Sequence, residues 1–165
     1  MTKYRNILFC TDFSEDATFA FIHAVDLARR HDAKLHILHV PHSPYAYCRH
    51  IVDDHVPEGK AGGEAFFDEE IEKRAGEALE KVCGKRLGTF KNFVYVIKMG
   101  SPPVEIIRYA KKNHADLIVM GARGKSEWDH IVHGSSVVQV AKYAHCQVMP
   151  IRNPSKRFTL PQELH

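Results

Sequence analysis

Short apolar runs alternate along the chain with segments whose apolar residues recur at helical spacing. The runs that predict buried strands are 6–10, 33–40, 93–97, 116–120 and 146–151. The helical spacing predicts helices after Ser14, over 64–86, after Ser101-Pro102, and after Ser135 or Ser136. The predicted buried face of the helix over 64–86 comprises Phe67, Ile71, Ala75, Leu79 and Val82. This β-α-β-α-β-α-β-α-β order predicts an α/β fold with a parallel sheet covered by helices on both faces.

Specific residues mark the predicted starts of two helices and the position of the last strand. Ser14 is a predicted N-cap, and Glu15 and Asp16 follow it in the first turn, where the helix dipole favours negative charge. Ser101 is a second predicted N-cap, because a proline at the first helical position follows it. Pro150 cannot donate to a strand ladder, so the last strand is predicted to be an edge or to bend there.

The segment 41–63 shows no period and is rich in His, Pro, Asp and Gly. Its side chains that could together bind a transition metal are His42, Cys48, His50, Asp53, Asp54 and His55. No standard zinc spacing is present, which favours solvated or capping histidines. His36 and His39 are three apart on a predicted strand, so they point to opposite faces and do not chelate together.

Composition and charge narrow the class of protein. With 23 basic and 20 acidic residues the net charge is +3, too even to favour nucleic-acid binding. No apolar run approaches the about 20 residues that span a bilayer, and the apolar run near the N-terminus is too short for a signal peptide. Four scattered cysteines favour free thiols in a reducing compartment. We therefore expect a cytoplasmic protein without nucleic-acid or membrane partners, with one domain over 1–152 and a polar tail over 153–165.

The segment Gly121 to Ser136 contains the triplet Gly124-Lys125-Ser126, which resembles part of a Walker phosphate loop. The first glycine of that motif would fall at Val119, so the spacing does not fit a Walker loop.

A phosphate clamp of another kind, built from two parts, fits the sequence better. One part is a glycine turn after the fourth strand, formed by Gly121 and Gly124. The other is a helix start at Gly134, Ser135 and Ser136, whose N–H groups and dipole suit phosphate oxygens.

The end of the first strand supplies a further part of the predicted site, opposite the clamp. Thr11 and Asp12 follow that strand, as Gly121 follows the fourth. Ligands of open α/β sheets bind beyond the carboxyl ends of strands at a topological switch point. If the two strands are neighbours, Asp12 faces the clamp, where it can accept from ribose hydroxyls or help to hold Mg²⁺. The alternative is that Asp12 only braces the turn before the first helix.

These motifs together resemble one family. The spacing G-x2-G-x9-G-S at Gly121, Gly124, Gly134 and Ser135 is similar to the ATP-binding signature of the universal stress protein family. "NILFCTDFS" resembles the opening strand of that family, "LHILHV" its second strand and "DLIVMGARGKS" its fourth. The order of elements matches from about Tyr4 to Arg152.

The resemblance implies an open five-stranded parallel sheet of order 3-2-1-4-5, of the adenine nucleotide alpha-hydrolase-like type, and a homodimer. It implies bound ATP, or AMP or ADP, with Mg²⁺ or Mn²⁺. Asp12 would meet ribose or metal-linked phosphate, and Val40 would meet adenine through its backbone. The other implied nucleotide-binding residues are Thr11, Met120, Gly121, Arg123, Gly124, His133, Gly134, Ser135 and Ser136. Pro150 departs from the apolar last strand usual in the family.

The implied function is that of an ATP-binding stress-response protein that acts through partner proteins. Two alternatives stay open. One is a dimeric interaction protein with a vestigial nucleotide site, and the other is a slow ATPase or phosphotransferase. No catalytic residue is assigned, because neither a Ser-His-Asp arrangement nor a base beside the clamp can be identified.

Overall fold

A computed structural model of the chain describes residues 3–41, 62–123 and 136–155, with the side chains of the helix starting at residue 62 described from residue 69. Its strands are β1 (Asn6–Thr11), β2 (Lys34–His39), β3 (Phe93–Ile97), β4 (Leu117–Gly121) and β5 (Gln147–Ile151). All neighbouring strands pair in parallel, in the order β3-β2-β1-β4-β5. The parallel sheet that the alternating pattern predicts is confirmed, as is the strand order implied by the resemblance.

The helices are α1 (Glu15–His31), α2 (Gly62–Leu79), α3 (Lys85–Leu87), α4 (Pro102–Lys112) and α5 (Ser136–Tyr143). A π-helical turn, Glu80–Gly84, joins α2 to α3. The sequence pattern predicted one regular helix here, with Val82 on its buried face. The wider turn instead directs Cys83 and Leu87 to the core and leaves Val82 partly buried. No helix within the described residues is both long and apolar enough to cross a membrane.

The sheet has a core on each face. On one face, β1, β2 and β4 pack against α1, α2 and α3 through Ile7, Phe9, Phe21, Leu35, Ile37, Leu79, Leu87, Leu117 and Val119. On the other face, the same strands pack against α4 and α5 through Leu8, Cys10, Leu38, Ile106, Ala110, Ile118, Met120 and Val140. Successive residues of each central strand thus enter opposite cores, which explains why these strands are near-continuous apolar runs.

The N-cap of α1 forms as predicted, whereas that of α4 forms only in part. Ser14 Oγ accepts a hydrogen bond from the Ala17 backbone N–H at 3.2 Å. Ser101 also occupies an N-cap position with an extended backbone, but its side chain makes no capping hydrogen bond. The proline at the first position of α4 has no N–H, so that helix start has one donor fewer to satisfy.

Strand β5 lies at the edge of the sheet, as Pro150 predicts. The backbone carbonyl of Ile151 accepts from the Ala122 N–H at 2.7 Å, so the polar groups of Ile151 face β4. Because successive residues of a strand turn their backbone polar groups to opposite sides, the nitrogen of Pro150 faces the open edge. The pairing of β5 with β4 therefore needs no donor from Pro150.

Candidate functional site

The candidate site lies at the carboxyl ends of β1, β2 and β4. Strands β1 and β4 are neighbours, so the chain leaves both at the same edge of the sheet. Ser14 Oγ donates a hydrogen bond to the backbone carbonyl of Arg123 at 3.2 Å, which joins the two exits directly. Strand β1 is also the point from which the strand order runs in both directions, the switch point of an open α/β sheet.

The turn after β1 is fixed by its own side chains. Asp12 Oδ1 accepts from the Ser14 N–H at 2.9 Å, and Thr11 Oγ1 accepts from the Phe13 N–H at 3.0 Å. Phe13 takes the left-handed conformation, with φ of 61°, which is uncommon outside glycine. Asp12 therefore braces the turn before α1, as one of the two roles considered for it requires. It also holds the carboxylate at the edge where a ligand role would need it.

The end of β2 contributes a histidine that sequence reasoning did not assign to the site. His39 Nδ1 lies 2.7 Å from the Thr11 carbonyl oxygen, and its ring centroid is 4.4 Å from that of Phe13. A carbonyl only accepts, so Nδ1 carries the hydrogen in this bond. The strand order could have indicated that His39 belongs to the site, because it places β2 beside β1 and makes His39 the register partner of Thr11. Val40 follows β2 directly and packs, partly buried, against the core under α4.

The two histidines of β2 face opposite sides of the sheet, as predicted. His36 Nδ1 lies 2.8 Å from the hydroxyl oxygen of Tyr109 on α4, while His39 meets Phe13 on the α1 side. Burial, with a smaller contribution from the Lys34 charge, lowers the pKa of His36. His36 is therefore a core residue, separate from the candidate site.

Gly121 is needed for packing. It is the last residue of β4 and is buried. A Cβ at this position would lie 2.6 Å from the Ala17 backbone nitrogen and 2.9 Å from the Asp16 carbonyl carbon. The glycine therefore allows the first turn of α1 to approach β4. The glycine spacing predicted a sharp turn at Gly121, whereas the structure places Gly121 in the strand, against this helix.

The other expected nucleotide-binding residues are only partly described. The Met120 side chain is 6% exposed and packs in the core under α4, so a contact from Met120 to a ligand would come from its backbone. Arg123 is partly buried beside Ser14, and Ser136 is the first residue of α5. Gly124, His133, Gly134 and Ser135 lie outside the described residues. Whether the helix start at Gly134 meets the Asp12 turn therefore stays a prediction.

Asp16 forms a further connection at this edge. It is 1% exposed, and its Oδ1 accepts from the Asn153 N–H at 3.1 Å. The segment that follows β5 is thereby held against the first turn of α1. The sequence predicts Asp16 in this turn, where the helix dipole favours negative charge, but it contains no signal that Asp16 is buried.

Two of the three cysteines in the described part of the chain are buried, and no metal-ligand cluster is found among its residues. Those residues contain no group of three or more His, Cys, Asp or Glu side chains able to hold a metal ion. The candidates of 41–63, namely His42, Cys48, His50, Asp53, Asp54 and His55, lie outside the described residues. Burial raises the pKa of Cys83 to about 12 and also raises the pKa of Cys10. Both buried thiols therefore stay protonated at neutral pH.

Comparison with known proteins agrees with this architecture. The model of the universal stress protein family matches residues 3–152. A universal stress protein of Methanocaldococcus jannaschii is 32% identical over 156 residues, which cover 93% of this chain and 85% of that protein.

Two solved structures extend the comparison. The universal stress protein of Lactobacillus plantarum is 30% identical, with a TM-score of 0.56 over 92% of this chain and 100% of that one. A universal stress protein of Archaeoglobus fulgidus, solved with dAMP, shares the fold at 21% identity, with a TM-score of 0.59 over 91% and 99% of the two chains. The protein described here belongs to the universal stress protein family.

Proposed function

We propose that this protein binds an adenine nucleotide at the edge formed by the carboxyl ends of β1, β2 and β4. The observation that carries the proposal is the Ser14–Arg123 hydrogen bond between neighbouring strand exits, which places Asp12 and Arg123 at one edge. A carboxylate and a guanidinium from residues at the same edge of the sheet suit the hydroxyls and phosphates of a nucleotide. The related protein of Archaeoglobus fulgidus, solved with dAMP, supports the same ligand class.

We assign the individual contacts as the resemblance to the family implies them. Asp12 accepts from the ribose or holds a Mg²⁺ or Mn²⁺ ion that accompanies ATP, because carboxylate oxygens suit hard cations. Thr11 and the backbone of Val40 and Met120 face the nucleoside, with adenine at Val40. The residues that hold the ribose and phosphates are Gly121, Arg123, Gly124, Gly134, Ser135 and Ser136, and His133 is a further nucleotide-binding residue. ADP and AMP fit the same assignment with fewer phosphate contacts.

Titration of the purified protein with Mg-ATP and with AMP tests the proposal, and absence of binding at millimolar nucleotide contradicts it. Asp12→Ala should weaken binding at least about tenfold, since a hydrogen bond to a charged group contributes about 1.5–3 kcal/mol. Asp12→Asn keeps an oxygen for the Ser14 N–H but loses the charge. If this variant binds like wild type while Asp12→Ala does not, Asp12 only braces the turn.

Asp26→Ala is a matched control for these variants. Asp26 lies on α1, the helix that follows the Asp12 turn, is 55% exposed and pairs with Arg30 on the surface. Its loss should leave the nucleotide affinity unchanged, because exposed pairs contribute little.

We further propose that the protein is a homodimer whose nucleotide state alters its contacts with partner proteins in a cytoplasmic stress response. Val138 and Tyr143 on α5 are 60% and 62% exposed, which supports an apolar contact surface beside the edge strand β5. The same exposure favours a second candidate, a dimeric interaction protein with a vestigial site. Native mass spectrometry of gently purified protein separates the two: co-purified nucleotide favours the first, and a nucleotide-free dimer favours the second.

A further inference from the structure

The first turn of α1 contains a buried carboxylate whose burial needs an explanation. Aspartate is rarely buried unless it is paired, because removing a carboxylate from water is costly. Asp16 is 1% exposed, and its Oδ2 has no hydrogen-bond partner among the described residues. The helix dipole does not account for the burial, since Glu15 in the same turn supplies a negative charge from an exposed position.

Asp16 is one of three contacts that fix this turn between two strand exits. Ser14 Oγ holds the Arg123 carbonyl, and Gly121 lies directly against the backbone of residues 16 and 17. Asp16 Oδ1 holds the backbone of Asn153 after β5.

The two strand exits are also joined to each other. The Ala122 N–H donates to the Ile151 carbonyl at 2.7 Å. The contacts therefore close a ring that runs from Asp16 through Asn153, Ile151 and Ala122 to Arg123, and back through Ser14.

We propose that Asp16 is a positioning residue for the nucleotide site, which it supports by tying the chain after β5 to the first turn of α1. The inference rests on the function proposed above. Without the hydrogen bond between Asp16 and Asn153 the ring opens, and the chain after β5 is no longer bound to the first turn of α1. The Arg123 backbone then samples more positions, and ordering it on binding lowers the affinity. Asp16 itself need not touch the nucleotide.

Titration with Mg-ATP tests the inference with Asp16→Ala, Asp16→Asn and the control Asp26→Ala. Asp16→Ala should raise the Kd about five- to tenfold, in the range of one lost hydrogen bond. Asp16→Asn retains an oxygen for the Asn153 N–H and should stay within about twofold of wild type. A wild-type Kd in Asp16→Ala overturns the inference while the proposed function stands. Absence of binding by the wild-type protein overturns both.

Changes at Asn153 test the same bond without altering α1, in case Asp16→Ala does not fold. Asn153→Pro removes the backbone N–H and should weaken Mg-ATP binding as much as Asp16→Ala. Asn153→Ala keeps that N–H and loses only the side-chain bonds to Ser155, so its Kd should match wild type. Equal affinity of the two variants overturns the inference.

Hydrogen exchange supplies a readout that a merely stabilising residue would not move. In the wild-type protein, Mg-ATP should slow exchange of the Asn153 amide at least about threefold, because binding and closure of the ring are coupled. In Asp16→Ala this amide should exchange quickly with or without nucleotide. Exchange in the wild-type protein that does not respond to bound Mg-ATP contradicts the coupling.

Discussion

At the scale of single residues, Gly121 shows how a motif position can serve packing. Gly121→Ala places a methyl group 2.6 Å from the Ala17 backbone nitrogen, which has no flexible end to move aside. We expect a loss of about 2 kcal/mol in the free energy of unfolding, in the range of overpacked sites. Urea denaturation measures it, and an unchanged midpoint would show that α1 shifts freely.

Gly76 is the matched control for this change. A Cβ there would lie 3.8 Å from Ile97 Cδ1, an ordinary contact, in the interior of α2. Gly76→Ala should therefore stabilise the protein by about 0.5–1 kcal/mol, since alanine favours helix over glycine. Opposite signs for the two glycines would show that close approach, rather than glycine content, decides the outcome.

His36 predicts an acid-side loss of stability. Its pKa is lowered in the folded state, so between that value and the ordinary value of 6.5 the unfolded chain binds a proton that the folded chain does not. Stability should be unaffected above about pH 7.5 and fall as the pH drops through about 6.5. The difference in urea midpoint between wild type and His36→Leu, measured from about pH 8 to about pH 5, isolates this contribution. Parallel curves would contradict it.

At the scale of elements, two helix starts that both have a serine as the predicted N-cap differ in the hydrogen bonds they make. Ser14 accepts from Ala17 and donates to Arg123, whereas Ser101 makes no side-chain capping bond. Ser14→Ala should destabilise the protein by about 1–2 kcal/mol, and Ser101→Ala by less than about 0.5 kcal/mol. Thermal unfolding of the two variants checks the ordering, and equal losses would show that the cap position alone decides.

The π-helical turn is a feature that the helical period of the sequence did not predict. The helical pattern located the element over 64–86 and placed Ala75 and Leu79 on the buried face, as observed. On a regular helix Cys83 shares the face of Leu79, four residues before it, but Leu87 would lie about 120° round the axis from Ala75. The wider turn Glu80–Gly84 offsets that drift and brings Leu87 to the same core. No local signal in the sequence announced that turn.

At the scale of the whole molecule, the strand order predicts a gradient of local stability. Strands β1 and β4 are paired on both sides and buried on both faces, whereas β3 and β5 lie at the edges with partly exposed residues. Amide exchange should therefore be slowest in β1 and β4 and faster in β3 and β5. Exchange at the edge strands that is as slow as in β1 would indicate that a second copy covers an edge.

The sequence predicted residues of the candidate site but not the bonds that join its elements. The glycine spacing and the Asp12 turn indicated the class of ligand, and neighbouring strands bring Gly121 and Asp12 to one edge. His39 on Thr11 and Asp16 on Asn153 were not anticipated, because each bond joins residues far apart in sequence. Single-sequence patterns do not report such pairings.

By itself the sequence determined the alternation of strands and helices, the apolar residues of both cores, the cap of α1 and the edge position of β5. Each of these depends on near neighbours in the chain, through side-chain period, capping chemistry or the missing N–H of proline. Only the tertiary structure decided why residue 121 must be glycine, where the chain after β5 is held, and how the helix before β3 turns. Those features depend on which distant backbones approach each other, and that follows from the packing of the whole sheet and its helices.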